Sequence, residues 1–427
     1  MSGTERQSDL IVLDDIAVIS MVGAEALPQV HKTVFVEREM VSLIVDHGQL
    51  AIPEGAHVIK GSGKFLMPGL IDCHVHIRSE KDLPQFIANG VTTVANMWGF
   101  EGLKTKLLSV PNTLKLREDV SFGDVVSPMI YTAGPILEGK PRAQPFMDEI
   151  TSPEKARKEV ERQIEEGYDF LKVYDNLSLD VYTAIMEVAR KKGIKVRGHV
   201  PLAVGLTGAL EQRQFSIEHL TGYIDPDAAE FLIPEIKIHS FAEMTREAGV
   251  WNCPTLIVWQ KLVGMDKYDE MTKHPAMKHL SQWQRVFLKK SFSEMMKKIK
   301  YTGADYTKRM LEISSVLIKA LHGAGARLIL GTDAGNPFVW PGYSVHEELK
   351  LLVKAGLSPY EALKTATVSA AESLGRQNVI GTVAPGKRAD LLVVEDNPLA
   401  DISNTSKIFG VVVEGRWFPK EELASLI

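Results

Sequence analysis

Side chains able to bind a metal ion recur along this chain, and the first two come as a pair. In the run Met67-Pro-Gly-Leu-Ile-Asp-Cys-His-Val-His-Ile77, His74 and His76 are spaced i, i+2. On an extended segment that spacing sends both imidazoles to one side of a strand. The turn at Pro68-Gly69 sets where the strand begins. Imidazole is the commonest protein metal ligand, so the pair reads as half of a metal site, although His-x-His alone is a weak signal. Similar residues close other β-like runs: His199 in Val-Arg-Gly-His-Val-Pro, His219 in Ser-Ile-Glu-His-Leu and Asp333 in Ile-Leu-Gly-Thr-Asp-Ala-Gly. Lys172 sits in Phe-Leu-Lys-Val-Tyr, where an unpaired ammonium is costly to bury. Each has a plain reading, since a lone strand histidine is usually a hydrogen-bonded core residue and an aspartate before Ala-Gly a turn residue. Their joint placement is what argues against it. Cys73 falls between Asp72 and His74 and is expected on the opposite strand face, as a buried packing residue.

The elements that must position these residues alternate between strand and helix. Eight strand candidates are present: 70–77, 91–97, 128–133, 169–174, 194–200, 215–220, 250–256 and 327–333. Helical stretches separate most of them. The clearest is 153–166, with Ser152 as N-cap, Pro153 at the first position, Ala156, Val160 and Ile164 on one face, and Gly167 as the stop. Eight βα units describe an α/β fold, a (β/α)8 TIM barrel, in which chemistry belongs at the C-terminal strand ends. There His74 and His76 end strand one, Lys172 lies on strand four, His199 ends strand five, His219 strand six and Asp333 strand eight. The longest insertion, 257–320, is helical in pattern and rich in Lys and Met. It is expected over the mouth of the barrel or at an interface.

The first 66 residues are short β segments broken by Gly, Pro and Asp, and the C-terminus echoes them. The domain expectation is therefore a small β-sandwich built from residues 1–66 and 380–427, flanking a barrel of residues 67–379. His31, His47 and His57 fall in the small unit, and His239, His274, His279 and His322 in loops or helices.

Composition bounds the function. At 427 residues, 45% hydrophobic and 24% charged, the chain is of ordinary soluble globular type. A formal net charge of −5 argues against a nucleic-acid partner. The two cysteines, Cys73 and Cys253, exclude a disulfide framework. No segment reaches the roughly 18 apolar residues of a membrane span. The N-terminus shows no signal-peptide pattern, so a cytoplasmic enzyme is the default, a removed signal peptide being the alternative.

Taken in order, Pro68-Gly-Leu-Ile-Asp-Cys-His-Val-His76, Gly198-His-Val-Pro201, Ser216-Ile-Glu-His-Leu220, Gly331-Thr-Asp-Ala-Gly335 and Gly386-Lys-Arg-Ala-Asp-Leu391 make the chain resemble the amidohydrolase superfamily. Within it the likeness is to the imidazolonepropionase-like and Xaa-Pro dipeptidase-like group, and it covers nearly the whole chain. Imidazolonepropionases have one metal and no strand-four lysine, so Lys172 points to the two-metal members. The resemblance implies that Lys172, carboxylated by CO2, bridges two divalent ions. It assigns His74, His76 and Asp333 to one ion and His199 and His219 to the other. Zinc suits such ligands, with manganese and cobalt as alternatives.

What this implies is metal-assisted hydrolysis by a bridging hydroxide, with Asp333 moving a proton from that hydroxide to the leaving nitrogen. The leading substrate class is a small amide, a dipeptide such as Xaa-Pro or an N-acyl amino acid. Lactones, carbamates, organophosphate esters, cyclic amides and deamination remain open, as does an inactive scaffold homologue. Candidate substrate contacts are Tyr174, Trp98, Tyr223, His346 and Arg142, with ordinary packing as the competing reading. A homo-oligomer is compatible with the sequence. Arg197 and Asp72 each lie two residues before a candidate ligand, and they are expected to pair beneath the metals, directly or through one water.

Overall fold

The computed structural model describes residues 9–23, 27–108, 110–121, 125–143, 146–224, 235–264, 267–280, 285–286, 288–293, 296–297 and 304–427. Part of the 257–320 insertion therefore lies outside the described residues.

All eight central strands form where hydrophobic pattern and turn residues place them. They are Leu70–Val75, Val91–Asn96, Met129–Thr132, Phe170–Val173, Lys195–Gly198, Ser216–Glu218, Trp251–Cys253 and Arg327–Leu328. Neighbours pair in parallel and in sequence order. Two junctions join the ends: Ala133 bridges Phe170, and Val75 bridges Ala334. The second is reinforced by Cys73 N–H donating to Leu330 O at 3.0 Å and Asp333 N–H to His74 O at 2.7 Å. The strands thus close on themselves, which brings strands one and eight side by side. Most of their residues are buried, as in a parallel sheet covered by helices.

The helix expected over 153–166 is Pro153–Glu165, with the Ser152 hydroxyl accepting from Lys155 N–H and Ala156 and Val160 buried. Ala304–Gly323, inside the expected insertion, instead covers the barrel. Its Met310, Leu317, Ile318 and Leu321 join the main apolar core. Val368–Leu374 packs Ala370 and Ala371 against Ile71, Cys73, Trp251 and Ile329. Lys195, at the start of strand five, donates to Ser373 O at 2.6 Å, so this helix closes the N-terminal end of the barrel.

Strands from both termini do come together. Leu10–Val18, Gln29–Glu37, Met40–Asp46, His57–Lys60 and Phe65–Pro68 join Leu391–Val394, Ile408–Val413 and Arg416–Pro419. Hydrogen bonding links them into one eight-stranded sheet, rather than the two stacked sheets of the expected sandwich. The reason lies in Phe65–Pro68, which pairs with Leu10–Val18 along one edge and Leu391–Val394 along the other, so the ladder is never broken. Ile11, Leu13, Val34 and Val36 share a core with Leu391, Val393, Val412 and Trp417.

Candidate metal centre

The six predicted ligands sit at or just beyond the C-terminal ends of their strands. Three residues around them hold left-handed backbone without being glycine: His219 (φ 60°), Thr255 (φ 51°) and Asp333 (φ 63°). Such conformations cost roughly 1–3 kcal/mol each and persist where surrounding structure enforces them, typically at functional sites. Glycine is required at position 331 for space, since a Cβ there would come within 2.4 Å of Cys253 Sγ and 2.6 Å of His74 Cβ.

The rings form a contiguous cluster. Centroids of His74 and His219 lie 4.6 Å apart, His199 and His219 4.9 Å, and His74 and His76 5.4 Å. His74, His219 and Asp333 each offer a ligand atom within 4.8 Å of the others. His76 Nε2 lies 2.8 Å and His74 Nε2 3.4 Å from Asp333 Oδ1. That oxygen is nonetheless buried without a hydrogen bond, as are His74 Nε2, His199 Nε2 and Lys172 Nζ. Buried polar atoms are almost always partnered. The clustered ligand atoms of His74, His219 and Asp333 are an arrangement a cation would satisfy.

The opposite nitrogens of three rings are held. His74 Nδ1 meets Glu218 Oε2 at 2.7 Å, His199 Nδ1 meets Asp175 Oδ1 at 2.7 Å, and His219 Nδ1 meets Thr255 Oγ1 at 2.6 Å. A carboxylate only accepts, so the His74 and His199 protons belong on Nδ1 and the Nε2 lone pairs face the cluster. Glu218, Asp175 and Thr255 escaped sequence reasoning. The signal for Glu218 is the buried Arg197, which demands an acid, but strand alternation points to Asp72 instead.

The expected direct pair of Asp72 and Arg197 is not what forms. Arg197 donates to Glu218 at 3.2 Å, to Ser216 Oγ at 3.0 Å and to Cys73 O at 2.8 Å. Asp72 instead accepts from His74 N–H at 3.2 Å, Thr332 N–H at 3.0 Å and Thr332 Oγ1 at 2.6 Å. The cause is a register slip between Asp72 and Val75 against strand two. Across a bulge, alternation counted back from His74 no longer holds. The same slip undoes the face assigned to Cys73 by alternation, although the residue is fully buried in an apolar cluster as expected.

Burial dominates the electrostatics. It drives the His74 pKa down to about 4 and lowers those of His76, His219 and Lys172. Burial alone would raise Asp333, but His74, His219 and His76 outweigh it and hold the carboxyl well below its usual range. Glu218 behaves likewise, with Arg197 and His74 overcoming burial.

Of the candidate substrate contacts, Tyr174 stacks on His199 with centroids 3.9 Å apart, and Trp98 lies 6.2 Å from His76. The other three have partners elsewhere. Tyr223 is buried, with its hydroxyl bonded to Thr245 and Asn252. Both ring nitrogens of His346 are used, by Thr405 Oγ1 at 2.9 Å and Asn89 O at 3.1 Å. Arg142 is exposed and contacts Glu149 at 3.5 Å and Met147 O at 3.4 Å.

The Amidohydrolase family profile matches residues 65–418, and the chain belongs to that family, as a hydrolase acting on C–N bonds. Ochratoxinase of Aspergillus niger is 23% identical over 393 residues, covering 79% of this chain and 71% of that protein. A Xaa-Pro dipeptidase with methionine bound in its active site superposes with a TM-score of 0.72 at 18% identity, over 96% of this chain and 100% of the other. Bottromycin amidohydrolase superposes with a TM-score of 0.76 at 25% identity, over 99% and 89% of the two chains. No helix among the described residues is long and apolar enough to cross a membrane.

Proposed function

We propose that the chain is a two-metal amide hydrolase acting on small peptides or N-acyl amino acids. The observation that carries this reading is that His74, His219 and Asp333 offer ligand atoms within 4.8 Å of one another, while His74 Nε2, His199 Nε2, Lys172 Nζ and Asp333 Oδ1 are buried without hydrogen-bond partners. His74, His76 and Asp333 would hold one ion and His199 and His219 the other, with zinc the ion their chemistry suits. Bound there, two divalent ions supply Lewis acidity and an acidified water.

Lys172 is 1% exposed, and burial disfavours its ammonium. As a free amine its Nζ adds to the carbon of CO2 and releases one proton, leaving a carbamate anion. Such an anion fits among cations where an ammonium does not. Asp333, kept ionised by its histidine neighbours, would take a proton at its carboxylate from the attacking water and return it to the departing nitrogen. Tyr174 stacks on the His199 ring beside the cluster.

The amide preference draws support from the family and from relatives named as a dipeptidase and an amidohydrolase. The catalytic unit is assigned to residues 67–379 and the accessory unit to 1–66 with 380–427. A panel of N-acyl amino acids, Xaa-Pro dipeptides and lactones, assayed with added Zn2+ or Mn2+ and after chelation, tests the reading. Amide turnover that chelation abolishes is the expected result. Turnover confined to lactones, or unaffected by chelation, would overturn it.

A further inference from the structure

We propose that Arg78, together with the indole N–H of Trp98, forms a subsite beside the metal centre for a carboxylate on the substrate. The proposal rests on the amide-hydrolase reading and adds to it the residues that hold the substrate's carboxylate.

Arg78 follows His76 by two residues, at the mouth end of strand one. Its backbone is fixed, since Arg78 N–H donates to Asp82 Oδ2 at 2.8 Å and the preceding Ile77 N–H to Asn96 Oδ1 at 2.9 Å. The guanidinium carbon lies 5.8 Å from the Trp98 ring centroid, and that ring lies 6.2 Å from His76. Trp98 is itself held in place. It stacks on Phe100 at 4.7 Å, and its carbonyl accepts from Asn96 Nδ2 at 3.0 Å.

Two atoms in this arrangement are buried and unsatisfied: Arg78 Nε and Trp98 Nε1. They differ in kind from the orphaned atoms at the metal cluster. The histidine Nε2 and Asp333 Oδ1 atoms offer lone pairs, whereas a guanidinium Nε–H and an indole N–H are donors only and cannot ligate a cation. Two neighbouring donors, one on a permanent cation, call for an acceptor that carries negative charge. Arginine matches a planar carboxylate through parallel N–H bonds. Asp82 and Asp333 act on Arg78 only through space. Asp82 spends Oδ2 on the backbone N–H groups of Arg78 and Ser79, so neither acid fills the role. A carboxylate seated between Arg78 and Trp98 lies on the His76 side of the cluster, placing a nearby amide over the metal ligands.

Sulfonamides resist attack at the acyl position, so N-methylsulfonyl leucine, phenylalanine and proline serve as inert probes, each compared with its carboxamide. Calorimetric titration of the metal-loaded enzyme should show the best acid binding at least about tenfold tighter than its carboxamide, the scale of a charged hydrogen-bonded contact. Arg78→Met should equalise acid and carboxamide with bound metal unchanged. Arg78→Lys should fall between, since it keeps the charge and loses the fork. Trp98→Phe keeps the stack, loses the N–H, and should weaken only the acids. Equal affinities on the wild type, no saturable binding of any acid, or discrimination surviving in Arg78→Met would each overturn the proposal. Amide hydrolysis without acid preference would leave the hydrolase reading standing and end this inference. Acid-selective binding by a protein that hydrolyses no amide would do the reverse.

Discussion

Replacing Glu218 by Gln tests the support beneath the metal centre at one atom pair. Glu218 is fully buried and Arg197 is 2% exposed, so neither charge is relieved by water. Removing one partner of such a pair typically costs about 3–5 kcal/mol, because the other charge is stranded. Here Arg197 keeps its bonds to Cys73 O and Ser216 Oγ, which places the loss near the lower end, about 3 kcal/mol. That is a large part of a typical folding free energy of roughly 5–15 kcal/mol. A second loss falls on the metal. The carboxylate that holds the His74 proton on Nδ1 is gone, and losing such an outer contact usually weakens metal binding about 10–100-fold. Urea denaturation of the metal-free protein reads the first effect, as a lower midpoint with an unchanged slope. Competition with a chromogenic chelator reads the second. The double variant Arg197→Met, Glu218→Leu should regain stability, since neither charge of the pair is left buried, but not metal affinity. A Glu218→Gln protein within about 1 kcal/mol of wild type would refute the claim that this pair neutralises a stranded charge.

Other outcomes follow from single positions. Asp333→Asn should lose turnover while retaining most bound metal, measured by elemental analysis beside an amide assay; near-normal activity would remove Asp333 from proton transfer. Gly331→Ala forces a methyl against Cys253 Sγ and His74 Cβ, so metal content should drop with little change in helical circular dichroism. His346 is held neutral, its pKa pushed down to about 4 by burial. The unfolded chain regains a value near 6.5, so between these limits it binds more protons than the folded state. Stability should therefore fall as pH drops from about 6.5 to about 4, by roughly 3 kcal/mol from this residue. His346→Gln should flatten that limb of the stability–pH curve, and an unchanged slope would show that His346 does not set it.

Much of the site was legible because its signals are local. His74 and His76 share a side through i, i+2 spacing, and the strand-ending positions of His199, His219 and Asp333 follow from apolar runs bounded by Gly and Pro. The Ser152-Pro153 start of a helix is likewise written in adjacent residues. Asp15, with φ 53°, shows the limit at the N-terminus. One continuous strand, Leu10–Val18, runs through it across irregularities in the pairing with Gln29–Glu37.

Sequence alone determined the eight strands and the end of the barrel where the candidate ligands gather, since residue type, periodicity and turn chemistry carry that information. Tertiary structure decided which acid neutralises Arg197, which atoms hold each imidazole, and whether the terminal strands make one sheet or two. Those outcomes depend on pairings between segments far apart in the chain, and on a bulge at Asp72–Val75 that shifts the facing of side chains. A one-residue slip changes which charges meet, and the preceding residues hold no separate record of it.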